Sequence, residues 1–93
     1  DLILNLKKMF LFRVLWLFLS SKKKGVAFDT ISVDTIDSLT LPNHHKLLSN
    51  NVLIFENLTN LSEIKSNHFT FCALPLKFEN ADGAPIRAIA IID

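Results

Sequence analysis

The sequence contains a single cysteine, Cys72, among 93 residues. One thiol excludes an internal disulfide, and there is no CxxC pair to clasp a metal. Such sparing use of cysteine is compatible with a reducing compartment. Net charge is nearly absent as well. Ten basic residues stand against nine acidic ones, for a formal charge of +1. No global field gathers nucleic acid or acidic substrates. Long apolar runs are also missing. Met9–Phe12 and Val14–Leu19, split by Arg13, together cover about 11 residues, well short of the roughly 20 that a helix needs to cross a bilayer. Arg13 adds about 2.5 to 3.5 kcal/mol to the cost of insertion. No A-x-A-like cleavage site follows, which argues against a secretory signal. The apolar residues surround a helix on all sides, which argues against an interfacial amphipathic helix.

What is present points to a folded domain. Hydrophobic residues make up 49% and charged residues 20% of the chain, a balance unlike that of disordered segments. The length suits one small domain, close to the limit of independent stability. The first residue is Asp rather than Met, so a processed chain or a piece of a longer one is expected. Two unlike parts follow each other. Residues 1–24 form an apolar and basic segment. Its plain reading is a buried helix or strand pair that packs inside a larger protein. A membrane or targeting role and a mis-joined chain are the alternatives. Lys22–Lys24 reads as a solvated turn before Gly25.

From Gly25 the pattern is regular. Val26–Val33 is rich in β-branched and aromatic residues and predicts a strand. Asp34–Leu41 is polar and turn-like. Pro42 suits the first turn of a helix, where its missing N–H costs nothing. That helix is expected to run to about Ser49, with Asn50-Asn51 as its stop. Val52–Phe55 fits a short buried strand. Asn57–Ser66 reads as a loop with one helical turn. Phe69–Phe78 predicts a strand region interrupted at Pro75. Asp82-Gly83-Ala84-Pro85 predicts a turn, with Gly83 supplying positive φ. Ile86–Ile92 is apolar on both faces apart from Arg87, which predicts a central strand. Strands alternating with a helix place the fold in the α/β or α+β class.

His44 would lie at the start of the helix and Glu56 at the end of the next strand. The helix carries the chain roughly 9 Å one way, and the strand roughly 13 Å back. A reversal at Asn50-Asn51 would bring both side chains to the same side. Together they could ligate a divalent metal or share acid–base work. A lone histidine at a helix start is more often a capping or surface residue, and a lone glutamate after a strand is more often solvated. Spacing alone leaves both readings open. His45 points about 100° away around the helix. His68 reads as a loop residue on the surface. Cys72 reads as a small hydrophobe in an apolar strand.

Four segments taken in order carry more information. They are GVAFDTISVD (Gly25–Asp34), HHKLL (His44–Leu48), IFENLTNL (Ile54–Leu61) and ALPLKFENADGAPIRAIAI (Ala73–Ile91). In this order and spacing they resemble the C-terminal part of the cyclase-like metal-dependent hydrolases. That family includes the bacterial-type kynurenine formamidases (arylformamidases) and the isatin hydrolases. Its members typically show a G-[IV]-D-x-x-S-[IV]-D strand, an H-x-x-L-L helix, an E-[GN]-L after the next strand and a P-L-K ending that closes on P-[IV]-R-A. The resemblance runs from Gly25 to the end of the chain. Each motif is weak alone, and the ordered set is fairly specific.

The resemblance implies an incomplete portion of the family's α/β arrangement, a mixed sheet swivelled against helices, and metal-assisted hydrolysis of an amide or lactam. His44 aligns with the histidine of H-x-x-L-L and Glu56 with the acidic residue that follows it. It implies that both hold a divalent ion, zinc or manganese, or act as acid–base partners. N-formylkynurenine, giving kynurenine and formate in tryptophan catabolism, is the leading substrate. The intact family implies a homo-oligomer. A cytoplasmic location is expected, with a secreted or membrane-associated one as the alternative, and neither a nucleic acid nor a membrane partner is expected. Pro85 and Arg87 match the family's ending. Asp82–Arg87 reads most simply as a turn into a core strand, with Arg87 paired inside the fold or reaching a substrate pocket. Asn57 and Asn60 open glycosylation sequons by pattern, which would matter only in a secreted chain.

One departure is large. The family's primary metal motif resembles H-x-G-T-H-x-D, and it has no counterpart here, where the histidines are His44, His45 and His68. Two ligands do not build a tight site, so the chain alone is expected to be inactive. Two other readings stay open: a non-catalytic remnant that pairs with a full-length homologue, and a small membrane-associated protein anchored through Phe10–Leu19.

Overall fold

The computed structural model describes residues 2–5 and 24–92 of the chain. The helix or strand pair expected over the N-terminal apolar runs lies outside the described residues. The chain divides into two compact units, Asp1–Leu61 and Ser62–Asp93.

The first unit is built on a three-stranded parallel sheet. Its strands are β1 (Leu2–Asn5), β2 (Gly25–Phe28) and β3 (Leu53–Phe55), in the order β1-β2-β3. Val26 stands opposite Ile3 on one side and Ile54 on the other. All four residues of β2 are buried, as expected of a parallel strand with a neighbour on each edge. Helix α1 (Pro42–Ser49) links β2 to β3. The core gathers Val26, Phe28, Val33, Leu47 and Val52, with Ile54 packed against it.

The strand expected over Val26–Val33 stops at Phe28. Asp29 is exposed, and the Thr30 hydroxyl donates to the Ser32 carbonyl at 3.0 Å, bending the chain away from the sheet. Val33 still enters the core. Its apolar, β-branched character therefore reports burial from a loop rather than continuation of the strand.

Both ends of α1 have clear causes. Pro42 occupies its first turn, as its missing N–H allows. At the far end Asn51 is left-handed (φ 58°). The Asn51 N–H donates to Leu48 O, and the Val52 N–H to Leu47 O, both at 3.0 Å. This is a Schellman closure, with Val52 and Leu47 supplying its usual apolar contact inside the core. The helix spans the expected residues. The strand after it begins at Leu53, because Val52 is used in the cap.

After a 3-10 turn at Leu61–Glu63, the second unit consists of an antiparallel pair, β4 (Thr70–Pro75) and β5 (Ile86–Ile91). Pro75 ends β4, opposite Ile86. The turn between the strands does not use Gly83 for positive φ. Asn80 takes the left-handed conformation instead (φ 56°), which asparagine tolerates better than most residues. Among the described residues β5 has one neighbour, β4. The second neighbour that its apolar pattern predicts is not among the described residues. The described residues thus make a small mixed fold of two sheets and one α-helix, in the α+β class. No helix among them is long and apolar enough to cross a membrane.

Candidate functional site

The carboxyl ends of parallel strands are where ligands bind in open α/β sheets. Three side chains of the first unit meet there. Glu56 directly follows β3. His44 stands in the first turn of α1. Asp34 comes from the loop that leaves β2. In the sequence Asp34 ends the GVAFDTISVD motif and opens a polar, turn-like stretch, with no role assigned to it.

Asp34 is placed by what α1 lacks. The residue before the helix, Leu41, is left-handed (φ 47°, ψ 54°) and makes no side-chain cap. The first amides of the helix therefore need another acceptor. Asp34 supplies both of its oxygens. The Asn43 N–H donates to Oδ1 and the His44 N–H to Oδ2, each at 2.9 Å. The negative carboxylate also faces the positive end of the helix dipole. Asn43 closes the loop from its other side, its side-chain amide donating to the Val33 carbonyl at 3.2 Å. Among the described residues, no buried side-chain nitrogen or oxygen lacks a partner.

The His44 ring lies between two carboxylates. Nδ1 is 2.7 Å from Asp34 Oδ2, and Nε2 is 2.8 Å from Glu56 Oε1. Glu56 Oε1 also accepts the Val33 N–H at 3.0 Å. Two backbone bonds hold the segment after β3 against the same loop: Asn57 N–H to Thr30 O at 2.7 Å and Leu58 N–H to Phe28 O at 2.9 Å. The two carboxylates differ in exposure. The Asp34 side chain is 2% exposed and that of Glu56 28%. Burial works to raise the Asp34 carboxyl. The hydrogen bonds from the His44 amide, the His44 ring and the Asn43 amide outweigh it, together with the attraction of His44, and the carboxyl is held below its ordinary range.

The expected meeting of His44 and Glu56 is thus present as a direct contact. The other residues singled out from the sequence are elsewhere. His45 is exposed on α1, and His68 is exposed in the second unit. Cys72 is a free, half-buried thiol on β4, and Arg87 is exposed on β5. Asp34 is the member that sequence reasoning missed. A helix opened by Pro42 with leucine in front of it has no cap of its own, and this was the available signal that a distant acceptor was needed.

Imidazole nitrogen and carboxylate oxygen are donors that suit zinc or manganese. His44 Nε2 and Glu56 Oε1 converge on one side of the ring, so their chemistry fits such an ion. Among the described residues no group of three histidine, cysteine or acidic side chains is placed to hold a metal. Asp34 does not add a third donor because it occupies the opposite edge of the imidazole.

Comparison with known proteins agrees with the ordered motifs. The chain is 41% identical over 64 residues to a kynurenine formamidase of Polaromonas naphthalenivorans, a match covering 69% of this chain and 28% of that protein. It is 40% identical over 70 residues to a kynurenine formamidase of Bacillus cytotoxicus, covering 72% and 33% respectively. An uncharacterised protein of Methanocaldococcus jannaschii is 48% identical over 75 residues, covering 80% and 38%. The chain therefore spans about a third of the length of the curated relatives it matches, and over that stretch it resembles the kynurenine formamidases. No family model matches the chain, and no solved structure does so.

Proposed function

We propose that this chain supplies part of the active site of a metal-dependent amide hydrolase of the kynurenine formamidase kind. The observation that carries the reading is the 2.8 Å approach of His44 Nε2 to Glu56 Oε1, in a chain whose relatives are named for that enzyme. His44 and Glu56 would be two ligands of a zinc or manganese ion. A bound ion would polarise the amide carbonyl and activate water. Glu56 keeps its oxygen in place through the Val33 N–H, and His44 keeps its ring in place through Asp34. N-formylkynurenine is the substrate that the relatives' names favour, with kynurenine and formate as products. Two ligands leave a tetrahedral ion two short. The chain by itself is therefore expected not to turn over. Relatives named for an enzyme do not favour the non-catalytic remnant.

The reading is tested by grafting residues 25–93 into a full-length kynurenine formamidase, in place of the segment they match. The graft should hydrolyse N-formylkynurenine. His44→Ala or Glu56→Ala in the graft should lower kcat/KM by about 10²–10⁴-fold, the range for removing a positioned acid–base or ligand group. A folded graft without activity, or one indifferent to both substitutions, would sink the proposal.

A further inference from the structure

We propose that Asp34 is the positioning residue of this site: it holds the proton of His44 on Nδ1 and so leaves Nε2 free as a metal ligand. The inference deepens the reading of His44 and Glu56 as a metal pair. The claim about the ring itself stands on geometry alone.

A neutral imidazole carries one N–H, and its place is set by the partner at each nitrogen. Here both nitrogens face carboxylate oxygens, at 2.7 and 2.8 Å. The two acceptors are not equivalent. Asp34 is almost wholly buried, and each of its oxygens is fixed by a backbone amide of α1. One of those amides belongs to His44 itself, so Asp34 Oδ2 meets the residue twice, through backbone and ring. Turning the ring away would cost this buried oxygen one of its two donors, leaving it the His44 amide. Glu56 has more freedom. Its side chain is 28% exposed, and the Val33 amide is its other partner. When the ring has a single proton, it stays with the acceptor that cannot move. Nε2 and Glu56 Oε1 then face each other as two acceptors, a repulsion that the more exposed Glu56 relieves by shifting or that a cation held by both relieves by binding. Histidine ligands of metals are commonly oriented by a carboxylate on their other nitrogen. Here the same carboxylate also closes the start of the helix that bears the ligand, so helix position and ring orientation are set together.

The test reads the ring nitrogens directly. Long-range 15N–1H spectra of the purified chain at about pH 9, well above the ordinary histidine range, report which nitrogen of each histidine carries the proton. His45 and His68, both exposed, serve as internal references. His44 should show the Nδ1–H pattern. Added zinc chloride should shift its Nε2 resonance, and Asp34→Asn should weaken zinc affinity about 10–100-fold, as for other residues that orient a ligand. Tautomer loss in a folded Asp34→Asn chain separates positioning from mere helix capping. An Nε2–H pattern in the unsubstituted chain overturns the proposal, and this measurement needs no variant to fold. Because two ligands hold an ion weakly, zinc is taken to millimolar concentration; an Nδ1–H pattern with no response even there leaves the orientation of the ring by Asp34 standing and counts against the metal reading instead.

Discussion

Asp34 serves two elements at once, and its titration should show it. Burial alone would raise its carboxyl, but the hydrogen bonds from His44 and Asn43 prevail, and the folded value lies below the ordinary 3.8. A lowered value in the folded state means that the unfolded chain takes up the proton first as pH falls. The stability contributed by Asp34 is therefore complete above pH 3.8 and is lost as pH falls through the folded value. Urea midpoints measured from about pH 5 down to about pH 2.5 should decline in the unsubstituted chain. Asp34→Asn should start lower and decline less. Two parallel curves would mean that another group drives the acid transition. The role of this residue was hard to see in the sequence for a physical reason. Its partners come nine and ten positions later, across a loop with no periodic pattern. His44 and Glu56 were singled out by the ordered family motifs; the rise of a helix and a strand made their meeting possible but left it open.

Helix α1 has only eight residues, a length at which an isolated helix is unstable in water. It persists because Leu47 is buried in the core and because both termini are satisfied, one by Asp34 and the other by the closure at Asn51. Leu41 works against it. A left-handed leucine costs about 1–2 kcal/mol relative to the right-handed conformation, and it stands next to the turn that carries His44. The closure at Asn51 can be tested without touching the site. Asn51→Val should lower stability by about 1–2 kcal/mol, since a β-branched residue resists positive φ. Asn51→Gly should be neutral or slightly stabilising. Urea unfolding of both variants decides the matter, and equal losses in the two would refute a left-handed Asn51. Pro42 and Asn50-Asn51 were readable as the start and stop of this helix because each acts on its own backbone. The end of β2 was not readable, since Val33 keeps the apolar character of a strand residue while reaching the core from a loop.

The two units of the chain are unlike in how they bury their residues. The core and the buried polar pair, Asp34 and Asn43, belong to the first unit. Among the described residues of the second unit none is buried. On β4 and β5, Leu74 is 77% exposed, and Ile89 and Ile91 are each 48% exposed. A strand that is apolar on both faces is the pattern of one covered by neighbours, and this is why β5 reads as central in the sequence. Among the described residues its ladder extends to β4. A two-stranded pair without a buried face is marginal in water, so the units should differ in local stability. Hydrogen exchange followed by NMR should find the slowest amides in β2 and in α1 around Leu47. The ladder amides of β4 and β5 should exchange at least about tenfold faster, as expected where few apolar contacts oppose local opening. Equal protection in the two units would mean that the hairpin is stabilised by more than its own pairing. In that case Cys72, half-buried on β4, should also resist a thiol reagent that otherwise labels it readily.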